Sequence, residues 1–452
     1  MKFLPVNNYY KKILHVALPA IAGLSTQMVV SLVDTAMVGR IDDATYALAA
    51  MGIGVLATWA LISFFSSLAT GIHVIVARKY GEGDYISCGI TLNNSLLIAL
   101  MIGGVVAMIG IFFAYPIAHL FAADETVGNY ASEYLYYRFM GIPFFLISVS
   151  FRGFFFGINK TKIFMFSGVI TNVLNMFFNY TLIYGYFGFP KMGLAGAGLG
   201  STLATLFDGL FYSVIIMLPT YRKKFQNLKH LIINKNIISG ILKISLPVSF
   251  QNVFILLGFL SFVSITGLIG TLEQAATQAI ISTLFISFLP CFGFGIAVQT
   301  LVGNNLGAKK FILAKIYGFE TAKVATIYTI ILGFIFTIIP QYVLLIITND
   351  ETIIHTAVPS LRVAGFAQIF YAVGVVLANG LQAGGRSFFV MKSEVITNLL
   401  IFVPLAYLLG VYFNLGLTWA WMALPVYIIL YSLIIYIKFN SVDWYTRIPV
   451  GK

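Results

Sequence analysis

Long apolar runs separated by short polar connections make up nearly the whole chain, in twelve segments: 13–38, 47–76, 89–115, 130–156, 163–184, 194–218, 238–268, 275–303, 314–346, 357–381, 389–411 and 416–438. A helix that crosses a bilayer needs about 20 predominantly apolar residues, whereas a membrane barrel shows alternating stretches of about ten. These runs are too long and too uniformly apolar for barrel strands. The pattern therefore predicts an all-α integral membrane protein with twelve transmembrane helices, each satisfying its own backbone in lipid. In 452 residues that leaves no room for a separate aqueous domain.

The connections sort by charge. Lys11 and Lys12, Arg78 and Lys79, Lys160 and Lys162, Arg222 to Lys224, Lys309 and Lys310, Arg386 and Lys392, and Lys438 fall on one face when every second connection is counted. The alternate connections hold Asp42, Asp43, Asp124, Glu125, Glu273, Asp350 and Glu351, with Arg40 and Lys191 their only basic residues. By the positive-inside rule both termini are expected in the cytoplasm, which requires an even number of spans. No small-residue cleavage site follows the start, so the first helix is expected to be its own insertion signal.

The chain also resembles itself at an offset near half its length. Ile13-Leu14-x-x-x-Leu18-Pro19 recurs as Ile241-Leu242-x-x-x-Leu246-Pro247, Val169-Ile170-Thr171-Asn172 as Val395-Ile396-Thr397-Asn398, and Arg138-x-x-Gly141 as Arg362-x-x-Gly365. The expected division is an N-terminal six-helix lobe at 1–218, a basic cytoplasmic linker at 219–243 and a C-terminal six-helix lobe at 244–452. Six is even, so the halves are parallel six-helix bundles, an arrangement suited to a cavity that opens to either side in turn.

Only 9% of residues are charged and the mean hydropathy is +0.94, against roughly 25% charged in a soluble protein. The formal charge of +12 therefore reports topology and not nucleic acid. Cys88 and Cys291 allow no disulfide framework or four-cysteine metal site, and the five histidines have no metal-ligand spacing. Gly193-x-x-Gly196-x-Gly198-x-Gly200 opens an apolar helix with no strand before it, and no phosphate loop of the Walker type occurs, which excludes ATP hydrolysis. Small residues of that kind let helices pack closely.

Acids inside spans are costly and mark function by default. Asp34 in the first span and Asp208 in the sixth are the candidates, with Asp208 the deeper. Glu320 and Glu394 lie near span ends and are expected to reach water, which places the cation site in the N-terminal half. A carboxyl in low dielectric can take up and release a proton near neutral pH. Asn175 and Asn179, four residues apart, share one face of the fifth span with a cation-orienting or a helix-bridging role open to them. Pro19 and the matching Pro247 each remove a helical hydrogen bond and permit a bend. Arg138, Arg152 and Arg362 are expected to reach toward headgroups from span ends.

Over nearly its full length the chain resembles the multidrug and toxic compound extrusion (MATE) family. The resemblance is carried by Pro19 with Val33-Asp34-Thr35-x-x-Val38-Gly39, Leu48-Ala49-Ala50-x-Gly52, Asn175-x-x-x-Asn179, Gly193-x-x-Gly196-Ala197 and Leu301-Val302-Gly303-x-x-x-Gly307-Ala308. It implies a V-shaped antiporter in a bacterial plasma (inner) membrane that expels amphipathic or cationic organic compounds in exchange for protons, alternatively sodium. It further implies that Asp34 binds the cation with Pro19 as the coupled bend, that Asn175 matches the family's fifth-span asparagine, and that Ser201 stands where a threonine is common. Asn179 departs from the aspartate of many relatives, which leaves Asp208 as the only compensating acid. With Ile255 near the place of a seventh-span acid, the pattern is similar to the DNA-damage-inducible branch.

The alternative is a flippase for lipid-linked oligosaccharide precursors, which should require fixed cations in the cavity to pair with phosphate. Neither reading is an enzyme, and neither involves a metal or cofactor beyond the coupling ion. The expected partners are membrane lipid and small-molecule substrates, with no nucleic acid, and the expected state is a monomer.

Overall fold

The computed structural model describes residues 7–227 and 232–446 and contains no strand among them. The helices are α1 Asn7–Val38, α2 Ala44–Ser66, α3 Leu68–Glu82, α4 Tyr85–Phe121, α5 Glu125–Met140, α6 Ile142–Gly157, α7 Thr161–Tyr184, α8 Gly193–Met217 and α9 Pro219–Phe225. They continue with α10 Lys235–Ile269, α11 Thr271–Gly307, α12 Phe311–Ile338, α13 Pro340–Leu344, α14 Glu351–Ala383, α15 Ser387–Thr397, α16 Val403–Tyr407, α17 Leu417–Trp421, α18 Ala423–Asn440 and α19 Asp443–Thr446. Among the described residues eleven helices or joined helices are long and apolar enough to cross a membrane, and the bent pair α5 and α6 makes the twelfth. Large apolar side chains such as Phe112 (77%) and Leu400 (66%) are exposed, as lipid-facing residues must be.

Breaks within the expected spans have local causes. The segment expected at 130–156 bends by 44° between α5 and α6, where Pro143 in the first turn of α6 cannot donate to the helix before it. The ninth span ends at Ile338, because the residue before Pro340 is steered out of the helical region. The eleventh runs through two π-helical turns, Asn398–Phe402 and Leu408–Tyr412. The first ends just before Pro404, whose missing N–H and bulky ring disrupt the regular ladder. Pro19 and Pro247, by contrast, lie inside α1 and α10, which run through them as continuous helices.

The chain forms two compact units. The N-terminal unit is Ala22–Leu246, in which α7 packs along α8, α4 along α5, and α3 along α6. Its core includes Leu135, Phe139, Phe154, Phe155 and Tyr212 and extends to Ile241 and Ile244 at the start of α10. The C-terminal unit begins at Pro247 and includes the chain up to Ile21. Here α14 packs on α11, α12 and α18, and Ile13, Val16 and Ala17 of α1 belong to its core. This division differs from the one expected at 218 and 243, because α1 and α10 each pass from one unit to the other within a few residues of their prolines.

Part of the expected linker is helical. Phe225 of α9 is buried against Tyr80, Tyr85 and Phe154, and Lys224 Nζ lies 4.1 Å from the centre of the Tyr85 ring. After the undescribed residues the chain is fastened to α4, since Asn94 Nδ2 donates to Ile232 O and Asn234 N donates to Asn94 Oδ1, both at 2.9 Å.

Candidate functional site

Helix α7 carries Ser167, Thr171, Asn175 and Asn179 at intervals of four residues, which places all four on one face. That face meets α8, and Gly200 sets how closely: a Cβ there would lie 2.2 Å from Asn179 Oδ1 and 3.0 Å from Asn179 N. The approach gives two hydrogen-bonded clusters along a single polar stripe.

The first cluster joins three helices. Asn179 Nδ2 donates to Asp34 Oδ1 of α1 at 2.8 Å and lies 3.2 Å from Asn175 Oδ1, while Asn175 Nδ2 donates to Ser201 Oγ of α8 at 3.2 Å. Asn179 is fully buried, Asn175 is buried and Asp34 is half-buried. Asn179 Oδ1 is buried and has no hydrogen-bond partner among the described residues. Oxygens of all four side chains are thus gathered at one place, with one carboxylate among them. Such a set can hold a proton on Asp34 or offer a monovalent cation several oxygen ligands.

The second cluster surrounds Asp208 of α8, which is 1% exposed. Arg152 of α6 donates from Nη2 to Asp208 Oδ2 at 3.0 Å, and Thr171 Oγ1 and the Ser167 hydroxyl both donate to Oδ1. The Arg152 guanidinium also lies 5.5 Å from the centre of the Phe164 ring. Asp208 is therefore held by a cation and two hydroxyls, which pair its carboxylate inside the apolar unit. Asp34, Asn175, Asn179 and Ser201 come together; Asp208 belongs to the neighbouring cluster, seven residues or about 10 Å further along α8.

Three expectations for other charged groups need correction. Arg152 does not reach outward to headgroups, because a buried carboxylate on α8 offers it a stronger partner. Neither Glu320 nor Glu394 reaches water freely. Glu320 is 6% exposed and pairs with Lys323 at 2.7 Å, and Glu394 is 2% exposed. Position near a span end indicates depth along the helix and not the direction the side chain faces. The four-residue polar spacing on α7 was the available signal for Ser167 and Thr171, whereas nothing local marked Arg152 as the partner of Asp208.

On the opposite side of the sequence's charge pattern, the connection between α1 and α2 is tied down twice. Tyr130 Oη donates to Asp43 Oδ2 at 2.9 Å, and Lys191 Nζ bonds Asp42 Oδ2 at 2.6 Å. The Lys191 bond holds the Asp42 carboxyl below its ordinary range.

Comparison with known proteins agrees with this architecture and with the duplication. The family described as MatE matches residues 19–181 and again residues 247–408, each match beginning at one of the paired prolines. A probable multidrug resistance protein NorM of Thermotoga maritima is 27% identical over 443 residues, covering 97% of this chain and 93% of the relative. A probable multidrug resistance protein YoeA of Bacillus subtilis is 22% identical, covering 83% and 82%. Among solved structures, an outward-facing multidrug resistance MATE family transporter of the MOP superfamily superposes with a TM-score of 0.86 at 18% identity, covering 95% of each chain. A MOP superfamily transporter from Pyrococcus furiosus gives 0.87 at 18% identity with the same coverage. With twelve span candidates, a sequence duplicated about its paired prolines, and a family match to most of both halves, the chain belongs to the MatE family of membrane transporters.

Proposed function

We propose that this protein is a secondary antiporter that exports amphipathic or cationic organic compounds in exchange for protons by alternating access, with Asp34 as the proton-binding group. The observation that carries the reading is the chain of hydrogen bonds from Asp34 through Asn179 and Asn175 to Ser201, which ties one lone acid to three helices. The names of the NorM and YoeA relatives support drug efflux as the transport activity.

The chemistry follows from donor and acceptor roles. Ionised, Asp34 accepts the Asn179 amide and attracts a cationic substrate. Protonated, it loses that charge and gains an O–H to donate, and the unpaired Asn179 Oδ1 is an acceptor on the side chain it already touches. Proton arrival thus weakens substrate binding and rearranges the contacts between α1 and α7. Pro19 lies 15 residues earlier on the same helix and supplies a position where α1 can bend. Asp208, ion-paired with Arg152, serves the packing of α6, α7 and α8 in this reading. Sodium is the second candidate for the same oxygens. Similarity to the DNA-damage-inducible branch, an inner-membrane location, cytoplasmic termini and a monomeric state belong to the same proposal.

The flippase alternative would use a free cation to hold phosphate. Arg152, the guanidinium at the centre of the N-terminal unit's polar stripe, is already neutralised by Asp208, which favours the exporter.

The test is efflux of a fluorescent cationic dye from reconstituted liposomes under an imposed pH gradient and then a sodium gradient, for wild type and Asp34→Asn. Efflux driven by the pH gradient and lost in the variant is the expected result. Efflux retained in Asp34→Asn would overturn the role of Asp34, and transport of lipid-linked sugars with no dye efflux would favour the flippase.

A further inference from the structure

The C-terminal unit contains a buried acid that the reading above leaves without a role. Glu394 lies in the last turn of α15, just before the π-helical turn Asn398–Phe402, and is 2% exposed. Its Oε1 accepts a hydrogen bond from the Tyr427 hydroxyl of α18. Tyr431 of α18, Gln251 of α10 and Asn398 flank the same carboxyl, and Tyr371 of α14 stands beside it with Cys291 of α11 behind. Gln251 in turn accepts from Gln382 Nε2 at 3.2 Å, so amides extend the polar cluster away from the acid. Lys392, two residues earlier, is exposed, and Glu394 forms no ion pair among the described residues.

The repeat shows what is unusual about this acid. Ser167-Gly168-Val169-Ile170-Thr171-Asn172 on α7 matches Ser393-Glu394-Val395-Ile396-Thr397-Asn398, so Glu394 takes the place of a glycine. Asp208 lies 15 residues after Gly193, and Tyr431 lies 15 residues after Gly416. Each unit therefore buries one acid between corresponding helices, contributed by the later helix in the N-terminal unit and by the earlier one in the C-terminal unit. The N-terminal acid has Arg152. The C-terminal acid has tyrosines and amides, all neutral near pH 7.

A carboxylate buried without a counter-charge is costly, and protonation removes that cost. The protonated form needs an acceptor for its new O–H. Asn398 is one helical turn further on, fully buried, with neither amide atom hydrogen-bonded among the described residues. Its amide presses on α10 where only a glycine fits, since a Cβ on Gly258 would lie 1.7 Å from Asn398 Oδ1. The surroundings are closely packed rings: Phe402 and Tyr427 at 5.5 Å, Tyr427 and Tyr431 at 6.2 Å, Phe288 and Tyr371 at 4.7 Å. The species such a site exchanges is the smallest one, a proton. The π-helical turn beside it is a place where the backbone ladder can rearrange as the proton comes and goes.

We propose that Glu394 is a second protonation site, a carboxyl in the C-terminal unit that binds and releases a proton separately from Asp34. Its part in coupling rests on the antiporter reading; its protonation does not, and the test keeps the two apart. Infrared difference spectra of the full-length protein in liposomes, recorded between acidic and alkaline buffer, should contain a protonated-carboxyl band. That band should persist in Asp34→Asn, disappear in Glu394→Gln and shift in Tyr427→Phe, which removes only the donated hydrogen bond. If Glu394→Gln fails to fold, the Tyr427→Phe shift alone decides. A spectrum unchanged in every variant that folds would overturn the proposal, whether or not any dye is transported. Where dye efflux is measurable, Glu394→Gln should move one fewer proton per dye molecule and lose one step of the pH profile; an unchanged stoichiometry and profile would exclude a role in coupling.

Discussion

Asn179 holds Asp34 and Asn175 with the same amide nitrogen, at 2.8 Å and 3.2 Å, while its carbonyl oxygen is buried without a partner among the described residues. One side chain thus satisfies the acid with its donor and keeps an acceptor in reserve. Replacing it changes the site's response to pH in a direction that can be worked out.

Asn179→Asp puts a second carboxyl within hydrogen-bonding distance of Asp34. Two carboxylates so close do not both ionise easily, so the last proton is held to higher pH than in wild type. The pH profile of dye efflux from liposomes should move to the alkaline side, with the coupling proton released later. Asn179→Ala, which removes the amide donated to the Asp34 carboxylate, should reduce efflux at every pH.

Gly200→Ala should separate the site without touching its chemistry. The new methyl group would collide with Asn179 on both its side-chain oxygen and its backbone nitrogen, costing about 1–3 kcal/mol through overpacking and displacing the amide from Asp34. Efflux should fall and the melting temperature should drop. Gly104→Ala, where nothing lies within 4 Å of the added carbon, should leave both unchanged.

Arg152→Gln leaves Asp208 buried and unpaired, which should cost about 3–5 kcal/mol. The variant should melt well below wild type in detergent. Adding Asp208→Asn should recover much of the loss because the uncompensated charge is gone, and a double-mutant cycle on melting curves measures the recovery.

Asp350 caps α14 by accepting from Thr352 N at 2.9 Å, Ile353 N at 3.3 Å and the Thr352 hydroxyl. These bonds lower its ionisation range below that of an ordinary aspartate. The cap is therefore intact above the ordinary range and weakens as pH falls through the lowered one. Hydrogen exchange at the amides of Thr352 and Ile353, corrected for intrinsic rates, should accelerate on acidification in wild type and be fast at all pH values in Asp350→Ala.

Periodicity made the spans legible in the sequence because lipid leaves helices few alternatives. The repeat was equally visible, down to the paired prolines at which both family matches begin. Asp34, Asn175 and Asn179 could be singled out as polar groups in apolar surroundings with helical spacing. What the sequence did not reveal was pairing across helices: Asp208 with Arg152, 56 residues apart, and Glu394 with Tyr427, 33 apart. Depth along a helix is a one-dimensional quantity, whereas burial depends on rotation about the helix axis and on the partner it meets. The bend between α5 and α6 and the π-helical turns of the eleventh span were obscured for a related reason, since hydropathy does not register a change in backbone hydrogen bonding.

The crossing of α1 and α10 between units bears on how the two units fold. Ile13, Val16 and Ala17 complete the core of the C-terminal unit, and Ile241 and Ile244 complete that of the N-terminal unit. Each copy of the duplicated segment thus keeps a piece of its hydrophobic interior on the other copy's chain. Two separate single-copy polypeptides would fill that gap by reciprocal arm exchange, the arrangement of a domain-swapped dimer. Within one chain the exchange makes the two units interdependent: a fragment ending at 227 and another beginning at 232 should recover native folding only when produced together.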